Sequence, residues 1–180
     1  MAKILVPISE GFEEIETVSI IDVCRRANIE VTLAAIKQKE TVGANKMTLL
    51  ADCLIDDVDI NNFDMIVLPG GLPNAFNLAE NEKVQEFLKT MKNDDKYIGA
   101  ICAAPFALNE ADVLNKHYTC YPSFEQKIRE EGHLPNDDIV IDGKVITSRG
   151  PGTAMKFALE IVNTLCGEET YTNVKNGLLA

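Results

Sequence analysis

Residues 99–105 read GAICAAP, placing a cysteine where a chain can turn sharply from a strand into a helix. Ala100 and Ala104 stand two residues to either side of Cys102, the small-x-nucleophile-x-small spacing of a nucleophile elbow. Such a turn forces neighbouring atoms close together, so only small side chains fit beside it. A sulfur at its apex faces the N-terminus of the following helix, where backbone N–H groups favour thiolate over thiol. The competing reading is packing: free cysteine often serves as a small buried apolar residue, and alanines also permit close approach. Spacing alone leaves both open.

Other residue types could complete such a site. Gly70 and Gly71 end the run 64–71 and let the backbone approach another group closely. The Gly71 N–H could join that of Ala103 in holding an oxyanion near the sulfur, or the two glycines could simply turn strand into loop. The stretch GGLPNAF is no dinucleotide fingerprint, because it lacks a third glycine and helical spacing resumes only at residue 81. Glu13, Glu14 and Glu16 crowd the start of a helical segment, where acids complement the helix dipole. One of them brought against Cys102 would have its pKa raised by burial and by the thiolate, fitting it for general acid–base work. Spacing does not choose among the three. His117 and His133 read as polar loop residues, and nothing in the spacing pairs His117 with the cysteine. Tyr121 and Arg149 flank further strand ends, and Arg149 offers a positive charge to an anion or simply to solvent.

These residues need elements to position them. The apolar runs 3–8, 30–36, 64–71 and 96–103 predict buried strands, and 47–55 a further one. Residues 138–150 predict a hairpin turning at Asp142-Gly143. Helical spacing runs over 13–29, 81–93, 123–132 and 151–167, the last opening on proline and closing on glycine. This alternation predicts one α/β domain over residues 1–180, a sandwich around a mostly parallel sheet whose ligands bind beyond the carboxyl ends of strands. The segments SEGFEE, LPGG and GAICAAP all fall at such ends.

Composition narrows the partners. With 28 acidic against 17 basic residues the net charge is −11, and there is no tryptophan. That balance argues against nucleic acid and anionic membranes. No run approaches the ~18 apolar residues of a membrane span, and the first apolar run is too short for a signal-peptide core. Five cysteines without a C-x-x-C pair, and only two histidines, predict neither a disulfide framework nor a metal site. The expected setting is the reducing cytoplasm.

Four motifs, GFEEIETV (11–18), VLPGG (67–71), AICAAP (100–105) and TSRGPGT (147–153), occur in an order and spacing that resembles the ThiJ/PfpI family, a class I glutamine amidotransferase-like group, in its protein-deglycase branch. The resemblance implies a flavodoxin-like three-layer α/β/α sandwich, a homodimer, no cofactor, and an oxidation-sensitive cysteine on a nucleophile elbow. It places the reactive cysteine at Cys102, its protonated glutamate partner at Glu16, and sulfur-facing N–H groups at Gly71 and Ala103. The pocket falls on Gly70 and Tyr121, with Arg26, Arg149, Gly150 and Pro151 on its subunit-interface side. Two departures matter. Tyr121 stands where close eukaryotic relatives carry a histidine, and Ala103 stands where the protease-type branch carries one, which argues against a Cys-His pair and against peptidase activity. Cysteines that some relatives carry near residues 44–51 are also absent. The implied function is cysteine-dependent detoxification of methylglyoxal, glyoxal or their early protein adducts. The alternative is a redox sensor or stress-protective chaperone without turnover, and a cysteine-dependent hydrolase ranks behind both.

Overall fold

The first apolar run becomes β1 (Lys3–Ile8), buried from Ile4 onward, as a strand covered on both faces must be. It leads into α1 (Glu14–Arg26), acidic in its first turn and basic in its last. The computed structural model describes residues 1–180. β2 (Glu30–Ala35), β3 (Glu40–Val42), β4 (Thr48–Leu50) and β5 (Cys53–Leu54) follow, then β6 (Met65–Leu68), α2 (Asn74–Glu80), α3 (Glu82–Asn93), β7 (Tyr97–Ile101) and α4 (Pro105–Glu110). The chain closes with the hairpin β8 (Ile139–Asp142) and β9 (Val145–Ser148), then α5 (Ala154–Cys166) and α6 (Glu168–Leu178).

Seven strands form one sheet in the order β5-β2-β1-β6-β7-β9-β8, parallel throughout except where β8 runs antiparallel to β9. Helices α1, α5 and α6 pack one face, and α2, α3 and α4 the other, each over its own apolar layer. This is the flavodoxin-like sandwich expected. From β1 the chain moves outward to β2 on one side and then to β6 on the other, so the topological switch point lies between β1 and β6. A crevice opens there beyond the strand ends.

Several local expectations are corrected. The stretch 47–55 is two strands: β4 pairs with β3 as a separate hairpin, while β5 joins the main sheet at β2. Residues 123–132 form only a single 3-10 turn, Phe124–Gln126. Ser123 lies at φ 79°, and the following segment pairs with residue 118 through Tyr118 N–H to Gly132 O (3.1 Å) and Leu134 N–H to Tyr118 O (2.8 Å). Those tertiary bonds outweigh helical propensity. A helix resumes at Asn74, much earlier than residue 81; α4 is the helix that the elbow requires after Cys102, and α6 was not anticipated. Gly167, at φ 83°, ends α5 as its type suggests. No helix is long and apolar enough to cross a membrane.

Candidate active site

The ends of β1, β6 and β7 are neighbours at the switch point, so the loops that follow them converge. Cys102 is the first residue after β7 and lies at φ 65°, the left-handed region that non-glycine residues enter at a cost of roughly 1–3 kcal/mol. Its own peptide groups hold it there. The Cys102 N–H donates to Ser148 O at the end of β9 (2.9 Å), and the Tyr121 N–H donates to Cys102 O (2.8 Å). The elbow anticipated from Ala100 and Ala104 is present, with both alanines fully buried and the sulfur-bearing residue 8 % exposed.

The three glutamates left open by the sequence have separate tasks. The Glu13 side chain caps α1, accepting from the Glu16 N–H (2.8 Å). Glu14 turns to the β3–β4 hairpin, where it accepts from the Asn45 N–H (2.6 Å) and the Asn45 side-chain amide (3.0 Å). Glu16 alone points into the crevice and is fully buried. Its Oε2 accepts from the Gly70 N–H (2.7 Å), while the buried Oε1 has no nitrogen or oxygen partner and the carboxyl lies in side-chain contact with Cys102. Burial raises its pKa to about 8, against the opposing pull of the Gly70 and Cys102 donors. Glu16 is therefore predominantly protonated at neutral pH.

Gly70 fills the space between these two groups. A Cβ there would lie 2.7 Å from the Cys102 Cβ and 2.8 Å from Glu16 Oε2. Gly71 adopts φ 88°, which aims its N–H at the sulfur together with the Ala103 N–H. Burial and the neighbouring Glu16 carboxyl push the Cys102 thiol up, and the two N–H groups pull it down. The simple expectation of a helix-stabilised thiolate is thus corrected: burial wins over the donors. The repulsive part of that balance disappears whenever Glu16 carries the proton.

Residues 2–164 match the DJ-1/PfpI family. The chain belongs to that family. It is 43% identical over 170 residues to Protein DJ-1 homolog B of Arabidopsis thaliana, covering 93% of this chain and 39% of that protein. This chain thus spans about two fifths of that relative's length. A Caenorhabditis elegans relative named glutathione-independent glyoxalase DJR-1.2 is 40% identical over 169 residues, 93% of this chain and 90% of that one. The crystal structure of Drosophila melanogaster DJ-1beta superposes with a TM-score of 0.96 at 37% identity, over 99% of this chain and 98% of that one.

The remaining residues named for this DJ-1/PfpI site divide. Tyr121, Arg149, Gly150 and Pro151 do come together, lining one groove with Asp138 beside the elbow. The Tyr121 ring covers Gly150 so closely that a Cβ there would meet it at 3.3 Å. Arg149 is already matched to Asp138 at 3.7 Å, which tempers its charge toward an anion. Arg26 does not join them. It pairs with Asp22 at 2.7 Å at the far end of α1, ten residues or roughly 15 Å of helix from Glu16, so within one chain it lines no part of this crevice.

Neither histidine approaches Cys102. The His117 ring lies 3.6 Å from Asp142 on the β8 side. His133 instead sits 3.7 Å from the Cys120 sulfur, with Glu125 beside both. These three side chains, five and eight positions apart in the sequence, bring their ligand atoms within 4.8 Å of one another, a proximity that the spacing did not reveal. Asn74 was also missed. Fully buried, it donates to Pro69 O and Gly70 O (both 2.9 Å) and accepts from the Ser9 N–H (2.7 Å), tying the end of β1 to the glycine turn. Its polar type inside an otherwise small, apolar turn is the only signal the sequence carried.

Proposed function

We propose that this protein is a cofactor-independent enzyme that converts α-oxoaldehydes such as methylglyoxal or glyoxal, free or as early adducts, into hydroxy acids. The observation that carries this reading is the pairing of Cys102, strained on its elbow, with the buried and protonated Glu16. The glyoxalase name of the nematode relative supports the substrate class.

Cys102 first gives its thiol proton to solvent and, as the thiolate that a protonated Glu16 does not repel, attacks the aldehyde carbon. The Gly71 and Ala103 N–H groups stabilise the developing oxyanion, and the Glu16 proton moves to it, leaving a hemithioacetal and a carboxylate. Glu16 then takes the proton from the former aldehyde carbon, forming an enediolate. After a proton shift between the two oxygens, Glu16 returns its proton to the adjacent carbon, giving a hydroxyacyl thioester. Water attacks the thioester, one proton goes to Glu16, and the hydroxy acid leaves with the thiolate restored. Methylglyoxal plus water becomes lactate with no net oxidation. Tyr121 and Arg149 line the groove beside the elbow.

Lactate formation from methylglyoxal by wild type and by Cys102→Ser tests the reading, and equal rates would sink it. The same sulfur environment suits a sulfinate held by Glu16 and the two N–H groups, which favours redox sensing as a second reading. Mild peroxide followed by intact-mass analysis and peptide mapping would then find oxygen at Cys102 first, without turnover. A homodimer is part of the proposal: Val18 and Ile21 on α1 line an exposed apolar groove with Leu49 and Leu50 of the β3–β4 region. Sedimentation velocity would detect the dimer, and a strict monomer would remove it.

A further inference from the structure

The chemistry above leaves Cys120, Glu125 and His133 unused, although their ligand atoms all lie within 4.8 Å of one another. We propose that these three side chains form a binding site for a divalent transition ion of the zinc class, with a fourth position left to water.

The fold assembles them without help from the elbow. Residue 133 bridges residue 118 in parallel register, which lays His133 alongside the segment that carries Cys120. The Phe124 N–H donates to Tyr121 O (3.0 Å), closing a turn that returns Glu125 to the same point. The sulfur is 3.7 Å from His133 Nε2. Metal–ligand bonds of about 2.0–2.3 Å around a tetrahedral ion put ligand atoms about 3.3–3.7 Å apart. The cluster is therefore already near the size of such a site. Glu125 Oε2 is buried with no hydrogen-bond partner, an acceptor whose lost hydration nothing in the protein replaces.

Ligand type decides the ion. One sulfur, one imidazole and one carboxylate suit zinc and its neighbours rather than magnesium or calcium, which take oxygen. Thiolate and carboxylate together carry two negative charges, matching a divalent cation. A second Cys-His nucleophile is the weaker reading, because Cys120 is 1% exposed and a carboxylate beside it opposes a free thiolate. The site is one residue from Tyr121, whose N–H holds the elbow carbonyl. Occupancy would tie the 118–134 loop to the border of the Cys102 groove.

The test is a titration of the reduced full chain with Co²⁺, read by the thiolate-to-cobalt charge-transfer band, followed by displacement with Zn²⁺. One ion per chain is expected, with release of the thiol proton. Cys102→Ser keeps the band, whereas Cys120→Ser loses it. His133→Gln and Glu125→Gln, which remove partly exposed side chains, weaken binding by about tenfold or more and serve if Cys120→Ser does not fold. No band with wild type, a band that disappears in Cys102→Ser, or unchanged binding in both His133→Gln and Glu125→Gln would overturn the proposal.

Discussion

Cys102 and Cys120 are both buried and both adjoin a glutamate, yet their surroundings ask opposite things of sulfur. Cys102 sits at the apex of a strained turn, facing two backbone N–H groups and a carboxyl that holds its proton until about pH 8. Cys120 lies on an extended segment with an imidazole at 3.7 Å and a carboxylate oxygen that has no donor. The first arrangement suits the charge that the proposed reaction would develop on a bound aldehyde. The second concentrates electron pairs and suits a cation. Cys24 marks the baseline: fully buried in the apolar layer, it is pushed up to about 12 by burial and the neighbouring Cys166, and it packs. Partners, not the thiol, decide which of the three does chemistry.

The largest expected break in this contrast is catalytic. Cys102→Ser should lower lactate formation from methylglyoxal by about a thousandfold or more, while Cys120→Ser stays within about twofold of wild type. A comparable loss in both would erase the distinction. Glu16→Gln keeps the shape of the carboxyl but removes the shuttled proton, and should cost about 10²–10⁴-fold in kcat. The same variant tests the pKa. In the folded chain Glu16 is raised from 4.5 to about 8, so between those values the folded state binds the extra proton. Its contribution to stability is fully present below pH 4.5 and lost as pH rises through about 8. Wild-type Tm should fall across that window more steeply than that of Glu16→Gln, and parallel curves would contradict the assignment.

Gly70→Ala sharpens the geometry of the elbow. The added methyl meets the Cys102 Cβ and Glu16 Oε2, so activity should be lost together with about 1–3 kcal/mol of stability in denaturant melts. The smallest effect belongs to Arg26→Ala. It removes an exposed i,i+4 pair, and stability should change by about 0.5 kcal/mol or less. A larger loss confined to the associated protein would place Arg26 at the contact between copies.

Much of this was legible beforehand because it is local. The strands β1, β6 and β7 are largely continuous apolar runs and β2 is apolar but for Glu30 and Thr32, and their parallel pairing accords with the helices between them. The elbow could be read because only small residues fit a turn at positive φ, and small residues leave a visible pattern. The 123–132 helix was misread because its competitor, the pairing of residues 118 and 132–134, lies outside any local window.

The sequence alone determined the main parallel strands, the α/β class and the candidate nucleophile, since periodicity and steric tolerance are written within a few residues. Only the tertiary structure decided which of Glu13, Glu14 and Glu16 faces the sulfur. It also decided that Arg26 stands apart and that Cys120, Glu125 and His133 meet. The reason is the same in each case: burial and proximity depend on how separate segments pack, and a carboxylate, an arginine or a histidine looks alike in sequence whether or not a partner awaits it.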